Sequence, residues 1–170
     1  MTEGTARYAR EGGTWHLKLG GDLRHTLGPA LNALLDRAFA EREYTQFVID
    51  LSAAQNIDST CLGILARIGN HALETGGLRS TIVSPSKDMK EVLLAVCFDR
   101  MFNLVDVAGA TASDLAGLPA AAVGDEAMLR LVLEAHRRLC AIDERTHAAF
   151  QDLVAGLEAE AEQQPTDRQR

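Results

Sequence analysis

The stretch from Phe47 to Gly77 constrains the fold of this chain more than any other, because it contains two different hydrophobic periodicities. Its first residues, 47–51, form a short apolar run rich in β-branched side chains. A near-continuous run of this kind predicts a strand that is covered on both faces. From Cys61 onward, apolar residues recur at spacings of three and four, which is the period of an amphipathic helix. Glycine enters the left-handed cap without a steric penalty, so the helix is predicted to end at Gly76.

Three polar residues, Asp58, Ser59 and Thr60, stand at the start of this helix. Their side-chain oxygens are good N-caps, because they accept hydrogen bonds from amides that have no partner within the helix. The same free amides and the positive end of the helix dipole also tolerate a phosphate. A phosphorylated Ser or Thr carries about −1.5 to −2 charges, enough to break a docked contact. Capping and a phosphorylation switch both remain open from the local chemistry.

The residues at this junction resemble a known family. Residues 50–52 read DLS, residues 57–63 read IDSTCLG, and the helix ends in a glycine pair. This resembles the STAS domain of bacterial anti-sigma factor antagonists, which carry a D-S-[ST]-G-L-G motif at the start of their second helix. Thr60 occupies the usual acceptor position, with Ser59 as the alternative acceptor, and Cys61 stands where the family usually has glycine. The other positions that match the motif are Asp58, Ser59, Leu62 and Gly63.

The resemblance implies a function in signal transduction and transcription regulation. The unphosphorylated protein would bind an anti-sigma factor that is also a serine kinase, and so free the sigma factor. Phosphorylation would release the partner, and a PP2C-type phosphatase would reverse it. The residues implied in partner binding are Asp22, Arg24, His25, Asp58, Ser59, Thr60, Cys61, Ser86 and Lys87.

Charge and cysteine content restrict the other classes of function. A net charge of −7 argues against nucleic acid and anionic membranes as partners, because both require clustered Lys and Arg. The three cysteines form no CxxC pair, so neither a disulfide framework nor a zinc site is indicated, and a reducing cytoplasm fits. No signal peptide or membrane-spanning run of about 20 apolar residues is recognised.

Motifs for catalysis are not recognised either, and we predict no catalytic residue, cofactor or metal. The sequence contains no P-loop, GxGxxG or GxSxG pattern, which would indicate nucleotide binding or a nucleophile elbow. An enzyme that uses Cys61 as nucleophile is a third hypothesis, since a helix N-terminus lowers a thiol pKa. It predicts selective alkylation of Cys61.

The order of the remaining patterns predicts an α/β fold: a STAS-like mixed β-sheet with helices packed on it, plus a C-terminal helical extension. An antiparallel strand pair opens the chain, and strands then alternate with helices, which indicates parallel βαβ units. Gly20 and Gly21 are predicted to end the second strand, and Ser84 to cap a helix with Pro85 at its first position. The predicted strands are 6–10, 14–19, 47–51, 78–83 and 104–107, and the other helices are 26–41 and the one beginning at Pro85.

We predict four segments: a STAS domain (1–110), a linker (111–124), a C-terminal helix or kinked helix pair (125–163) and a flexible tail (164–170). Asp143 interrupts the apolar stripe of the third segment. No Gly or Pro forces a turn there, so a long or kinked helix is favoured over two helices that meet near Ile142. This stripe must be buried, either on the domain's own flank or in a homodimer. His136 lies on it as a packing residue.

A second hypothesis is a STAS scaffold without phosphorylation, such as a subunit of a lipid-transport or stress-signalling assembly. There Ser59 and Thr60 would serve only as caps, and the C-terminal helix would contact the partner. Removal of residues from Asp125 onward separates the two hypotheses, because phosphorylation and anti-sigma factor binding should largely survive it only under the first.

Overall fold

The computed structural model describes residues 2–109 and 112–164. The strands of this part are β1 (Thr5–Glu11), β2 (Thr14–Leu23), β3 (Gln46–Ile57), β4 (Thr81–Val83), β5 (Asn103–Val105) and β6 (Ala116–Gly117). The helices are α1 (Gly28–Ala40), α2 (Ser59–Thr75), α3 (Lys87–Ala95), α4 (Asp125–Cys140) and α5 (Glu144–Gln163), with 3₁₀ turns at His25–Leu27 and Phe98–Arg100.

The sheet has the order β5-β4-β3-β2-β1-β6. Strand β1 pairs antiparallel with both β2 and β6, whereas β2, β3, β4 and β5 pair parallel in succession. Parallel neighbours need a crossover connection, and α1, α2 and α3 each provide one. The predicted mixed α/β sheet with a helical extension is therefore confirmed.

The helices cover one face of this sheet. Trp15, Leu17 and Ile49 belong to the face whose residues form a single core cluster with the inner sides of α1, α2, α3 and α4. The opposite face borders a cavity of about 130 Å³, which is lined by Val48 and Asp50 of the sheet and by Ala108, Gly109, Ala112 and Leu115 from the chain after β5. The central strand was predicted to be covered on both faces, and on this face Val48 and Asp50 are only partly buried.

Two strands, β2 and β3, extend several residues beyond the ends that their local patterns predicted. Strand β2 continues through Gly20 and Gly21 to Leu23, with register shifts against β3 on either side of this pair. Gly21 adopts a positive φ of 73° at this irregularity. Glycine reaches this backbone conformation without the steric strain that a side chain would cause. Strand β3 runs to Ile57, six residues beyond its predicted end at 51, and Asp22 lies within β2 although the strand was predicted to end at the two glycines before it.

Helix α3 begins later than the sequence predicted. Ser86, not Ser84, is the N-cap, and its Oγ accepts a hydrogen bond from the Met89 amide at 3.3 Å. Pro85 therefore precedes the cap instead of occupying the first helical position. Ser84 is buried, and its amide donates to the Val105 carbonyl at 2.9 Å, which fixes it to the neighbouring strand.

The C-terminal extension is a pair of separate helices, not the favoured long or kinked helix. Asp143 caps α5 by accepting from the Arg145 amide at 2.7 Å, and the Thr146 hydroxyl accepts from the Asp143 amide at 3.0 Å. This reciprocal capping box starts a new helix without Gly or Pro. Helices α4 and α5 form an antiparallel pair, the hairpin (residues 125–163), in which His136 contacts Phe150. Residues 165–170 of the predicted flexible tail lie outside the described residues.

The segment before the hairpin is partly attached to the domain. The Leu118 amide donates to the Ala6 carbonyl at 2.9 Å, and the Arg7 guanidinium donates to the Leu115 carbonyl at 2.7 Å. Residues 119–124 are exposed and have no regular secondary structure. These exposed residues connect the sheet to α4.

Candidate functional site

The start of α2 is fixed by the carboxylate of Asp58. Its Oδ1 accepts from the Cys61 amide at 2.8 Å, and its Oδ2 accepts from the His25 amide at 2.6 Å. The Asp58 amide also donates to the Leu23 carbonyl at 2.9 Å. Asp58 is therefore the N-cap of α2, and it also holds the connection between β2 and α1 against the helix start.

The hydroxyl of Ser59 contacts α4, a contact that the sequence reasoning missed. Ser59 Oγ lies 2.7 Å from His136 Nε2, and His136 Nδ1 lies 2.6 Å from the Val132 carbonyl oxygen. A carbonyl oxygen only accepts, so Nδ1 carries a proton. In the neutral ring Nε2 then accepts from the Ser59 hydroxyl. His136 is 3% exposed, so this hydrogen bond is shielded within the α2–α4 contact.

Neither hydroxyl of the helix start is freely exposed. Thr60 is 5% exposed, while Ser59 is partly buried. The next turn of α2 is covered as well, because a Cβ built on Gly63 would lie 2.2 Å from the Ala135 carbonyl oxygen. The backbones of α2 and α4 are thus in direct contact beside the two hydroxyls.

Cys61, at the position where the STAS motif usually has glycine, points into the protein. Its side chain is 0% exposed, and its Sγ donates to the Arg24 carbonyl at 3.1 Å. Burial raises the pKa of the Cys61 thiol well above its usual range, and the negative charge of Asp58 raises this pKa further. Since the thiolate is the nucleophilic form, this environment opposes the hypothesis of a Cys61 nucleophile.

We expect thiol alkylation of the folded protein at neutral pH to modify Cys140 before either other cysteine. Cys140 is partly exposed, whereas Cys61 and Cys97 are buried. Timed iodoacetamide labelling followed by peptide mass spectrometry measures the order, with urea-unfolded protein as the control in which all three thiols should react. Preferential labelling of Cys61 in the folded protein would revive the nucleophile hypothesis.

A polar groove lies beside the helix start. It has a volume of about 430 Å³, and its six lining residues come from the ends of β2 and β3 and the residues that follow them. Arg24 pairs with Asp22 at 2.6 Å, and the His25 ring lies 3.8 Å from Asp58. The lining residues are Asp22, Arg24, His25, Asn56, Ile57 and Asp58.

The groove therefore contains four of the nine residues predicted to bind a partner, and three more, Ser59, Thr60 and Cys61, lie on the adjacent first turn of α2. Ser86 and Lys87 do not line the groove. Ser86 caps α3, and Lys87 lies 3.9 Å from Glu91 within the same helix. Their predicted role in partner binding stays a prediction.

The hairpin is held to the domain along α4 and again at its turn. Leu131, Ala135 and Leu139 belong to the core cluster, so the apolar stripe of α4 is buried on the domain's own flank. At the turn, Arg100 pairs with Asp143 at 2.8 Å. The Arg145 amide, followed by the charge of Arg100, holds the pKa of the Asp143 carboxyl below its usual range.

The family assignment follows from the match of residues 6–106 to a family model described as "Mlab, STAS domain". The chain belongs to the STAS domain family. Its STAS fold also matches the solved structure titled "Structure of the Anti-Sigma Factor Antagonist SpoIIAA in its Unphosphorylated Form". That match has a TM-score of 0.52 at 18% identity and covers 61% of this chain and 89% of the other. Comparison with curated protein sequences finds no match.

The matched STAS region ends at residue 106, before the hairpin begins. The contact between Ser59 and His136 therefore joins the STAS domain to a segment outside the family match. Among residues 2–109 and 112–164, no helix combines the length and apolarity that crossing a membrane requires. The same residues contain no cluster of three or more His, Cys, Asp or Glu arranged to hold a metal ion.

Proposed function

We propose that this STAS-domain protein is a regulatory binding module that works by partner switching in the cytoplasm. The unphosphorylated chain docks an anti-sigma factor that is also a serine kinase. A phosphate at the start of α2 releases this partner, and a PP2C-type phosphatase restores binding. The observation that carries the proposal is that Ser59 and Thr60 open α2 directly after the Asp58 cap and beside the polar groove.

Electrostatics at the helix start support release by phosphate. The carboxylates of Asp22 and Asp58 already line the groove. A phosphate adds about −1.5 to −2 charges next to them, and a partner that buries this surface must remove the hydration of all these anions. Removal of a charge from water without a partner charge is costly. Docking should therefore be weaker after phosphorylation.

The two hydroxyls differ as acceptors. The resemblance to the family motif favours Thr60, whereas the 5% exposure of Thr60 and the partial exposure of Ser59 favour Ser59 for direct access by a kinase. Phosphorylation of either hydroxyl would place the added charge on the first turn of α2.

We expect phosphate on Ser59 or Thr60 in protein purified from its own host with phosphatase inhibitors present. Both residues fall in the tryptic peptide 43–67, and fragment ions that separate them identify the modified hydroxyl. Treatment of half of the sample with a PP2C-type phosphatase is the control, and it should remove the added mass. Unmodified peptide across growth and stress conditions would contradict partner switching.

A STAS scaffold without phosphorylation is the second candidate, as a subunit of a lipid-transport or stress-signalling assembly. The hydrogen bond from Ser59 to buried His136 favours it, because the hydroxyl already has a structural role. Leu153 on α5 is 47% exposed, which leaves an apolar position on the hairpin for a partner or for a homodimer. The mass measurement above decides between the two, since a permanently unmodified helix start fits only the scaffold.

A further inference from the structure

We propose that the hairpin is a displaceable cover over the docking face of α2, and that a phosphate on Ser59 opens it. The docking face is defined here by Ser59 and Gly63. Once uncovered, this face fits a partner helix that places a small residue opposite Gly63, as α4 does with Ala135. The kinase in this scheme rests on the proposed function, whereas the competition between phosphate and hairpin rests on geometry alone.

The shape of the docking face supports a helix as its occupant. Gly63 permits a backbone-to-backbone approach, because any Cβ there would meet the Ala135 carbonyl oxygen at 2.2 Å. One turn earlier, Ser59 meets His136, the residue after Ala135, at 2.7 Å. Gly63 lies within the STAS match, which ends at residue 106. The docking face therefore belongs to the STAS domain, while α4 is an occupant supplied by this chain.

A phosphate and the docked α4 compete for the same space. The transferring kinase would form a bond between Ser59 Oγ and the γ-phosphorus of ATP as the bond to ADP breaks, and the hydroxyl proton would pass to the kinase's base. The ester oxygen then has no proton to donate to His136 Nε2. His136 is 3% exposed, and its Nδ1 is held by the Val132 carbonyl, so the ring has little freedom to make room for three further oxygens.

The chain connection of the hairpin allows it to leave as a unit once the core contacts of α4 and the Arg100–Asp143 ion pair are broken. Residues 119–124 are exposed and without regular structure, so α4 can move while the sheet keeps its hydrogen bonds. Helices α4 and α5 also bind each other through the His136–Phe150 contact and the Arg137–Glu158 ion pair at 2.9 Å. Transient opening exposes Ser59 to a kinase, and the phosphate then shifts the population toward the open state.

The test is hydrogen exchange measured by mass spectrometry on the full chain with phosphoserine incorporated genetically at position 59. We expect the amide exchange rates of residues 125–163 to be at least about tenfold higher than in the unmodified chain, because these rates depend on how often the hairpin opens. Peptides of the sheet should keep their protection. Phosphoserine at Ser52, an exposed position on β3, is the matched control for added charge and should leave the hairpin protected.

Trp15 reports whether the domain itself stays folded. It is the sole tryptophan and is 1% exposed in the core, so its emission should be unchanged when the hairpin opens. Unchanged protection of residues 125–163 after Ser59 phosphorylation would overturn the proposal. Loss of protection that extends to the sheet, with a red shift of Trp15 emission, would also overturn it. This test incorporates phosphoserine without a kinase. If protein from the host carries no phosphate at Ser59 or Thr60, that result would contradict only the proposed function.

Discussion

Replacing Gly63 with alanine is expected to lower the free energy of unfolding by about 3 kcal/mol, at the upper end of the range for overpacked interiors. The new Cβ would lie 2.2 Å from the carbonyl oxygen and 2.5 Å from the carbonyl carbon of Ala135. These are backbone atoms, so a rotamer change cannot relieve the clash and α4 must shift. Helix propensity alone would change the free energy of unfolding in the opposite direction, because alanine within a helix is normally about 1 kcal/mol more favourable than glycine.

Gly156→Ala provides the matched control on α5. A Cβ built on Gly156 would have nothing within 4 Å. The free energy of unfolding of this variant is therefore expected to rise by about 0.5–1 kcal/mol from helix propensity alone. Urea unfolding followed by far-UV circular dichroism measures both changes. If both alanine variants are stabilised to the same extent, α4 does not rest on Gly63 as the structure places it.

Replacing Asp58 with alanine is expected to lower the free energy of unfolding by about 3 kcal/mol. Loss of an N-cap costs about 0.5–2 kcal/mol, and a second amide left without an acceptor costs about 1–3 kcal/mol. Asp58 serves both roles, through the Cys61 amide and the His25 amide. The effect should therefore exceed that of an ordinary cap, because the connection between β2 and α1 is released together with the helix start.

Asp58→Asn separates the two roles. Asparagine is as good an N-cap as aspartate, but its amide has one acceptor oxygen, so only one of the two backbone amides keeps its partner. We expect about half of the loss seen for the alanine variant, measured by urea unfolding with Trp15 fluorescence. Equal losses for the two variants would show that negative charge at the helix start, and not the number of accepted hydrogen bonds, determines the stability.

The hairpin changes how the family resemblance is applied to this chain. The resemblance treats the start of α2 as an open docking surface, whereas α4 lies on this helix and Ser59 contacts His136 at 2.7 Å. The polar groove around Asp22, Arg24 and His25 remains beside it. A partner would therefore meet the groove first, and would reach the docking face of Ser59 and Gly63 only after the hairpin has moved.

Local signals in the sequence determined the centre of the site. Asp58 caps α2 and Gly76 ends it with a φ of 65°, both as predicted, because caps depend on residues within a single turn. The alternation of strands and helices likewise predicted the mixed sheet. Local signals were insufficient for β2, because pairing with β3 extended this strand past its glycines. The capping box at Asp143 that divides the C-terminal segment is itself local, and it was missed because no Gly or Pro marks the turn.

The tertiary structure alone decided what surrounds the two hydroxyls. Ser59 and His136 are 77 residues apart in the chain, and no periodicity or motif relates positions at that separation. Their contact exists because the apolar stripe of α4 is buried on α2, where Gly63 admits the backbone of Ala135. Burial of an apolar face is favourable on any matching surface. The sequence therefore predicted that the apolar stripe of α4 is buried, but not which surface buries it. In the folded structure that surface is the face of α2 that carries Gly63 and the candidate phosphorylation site Ser59.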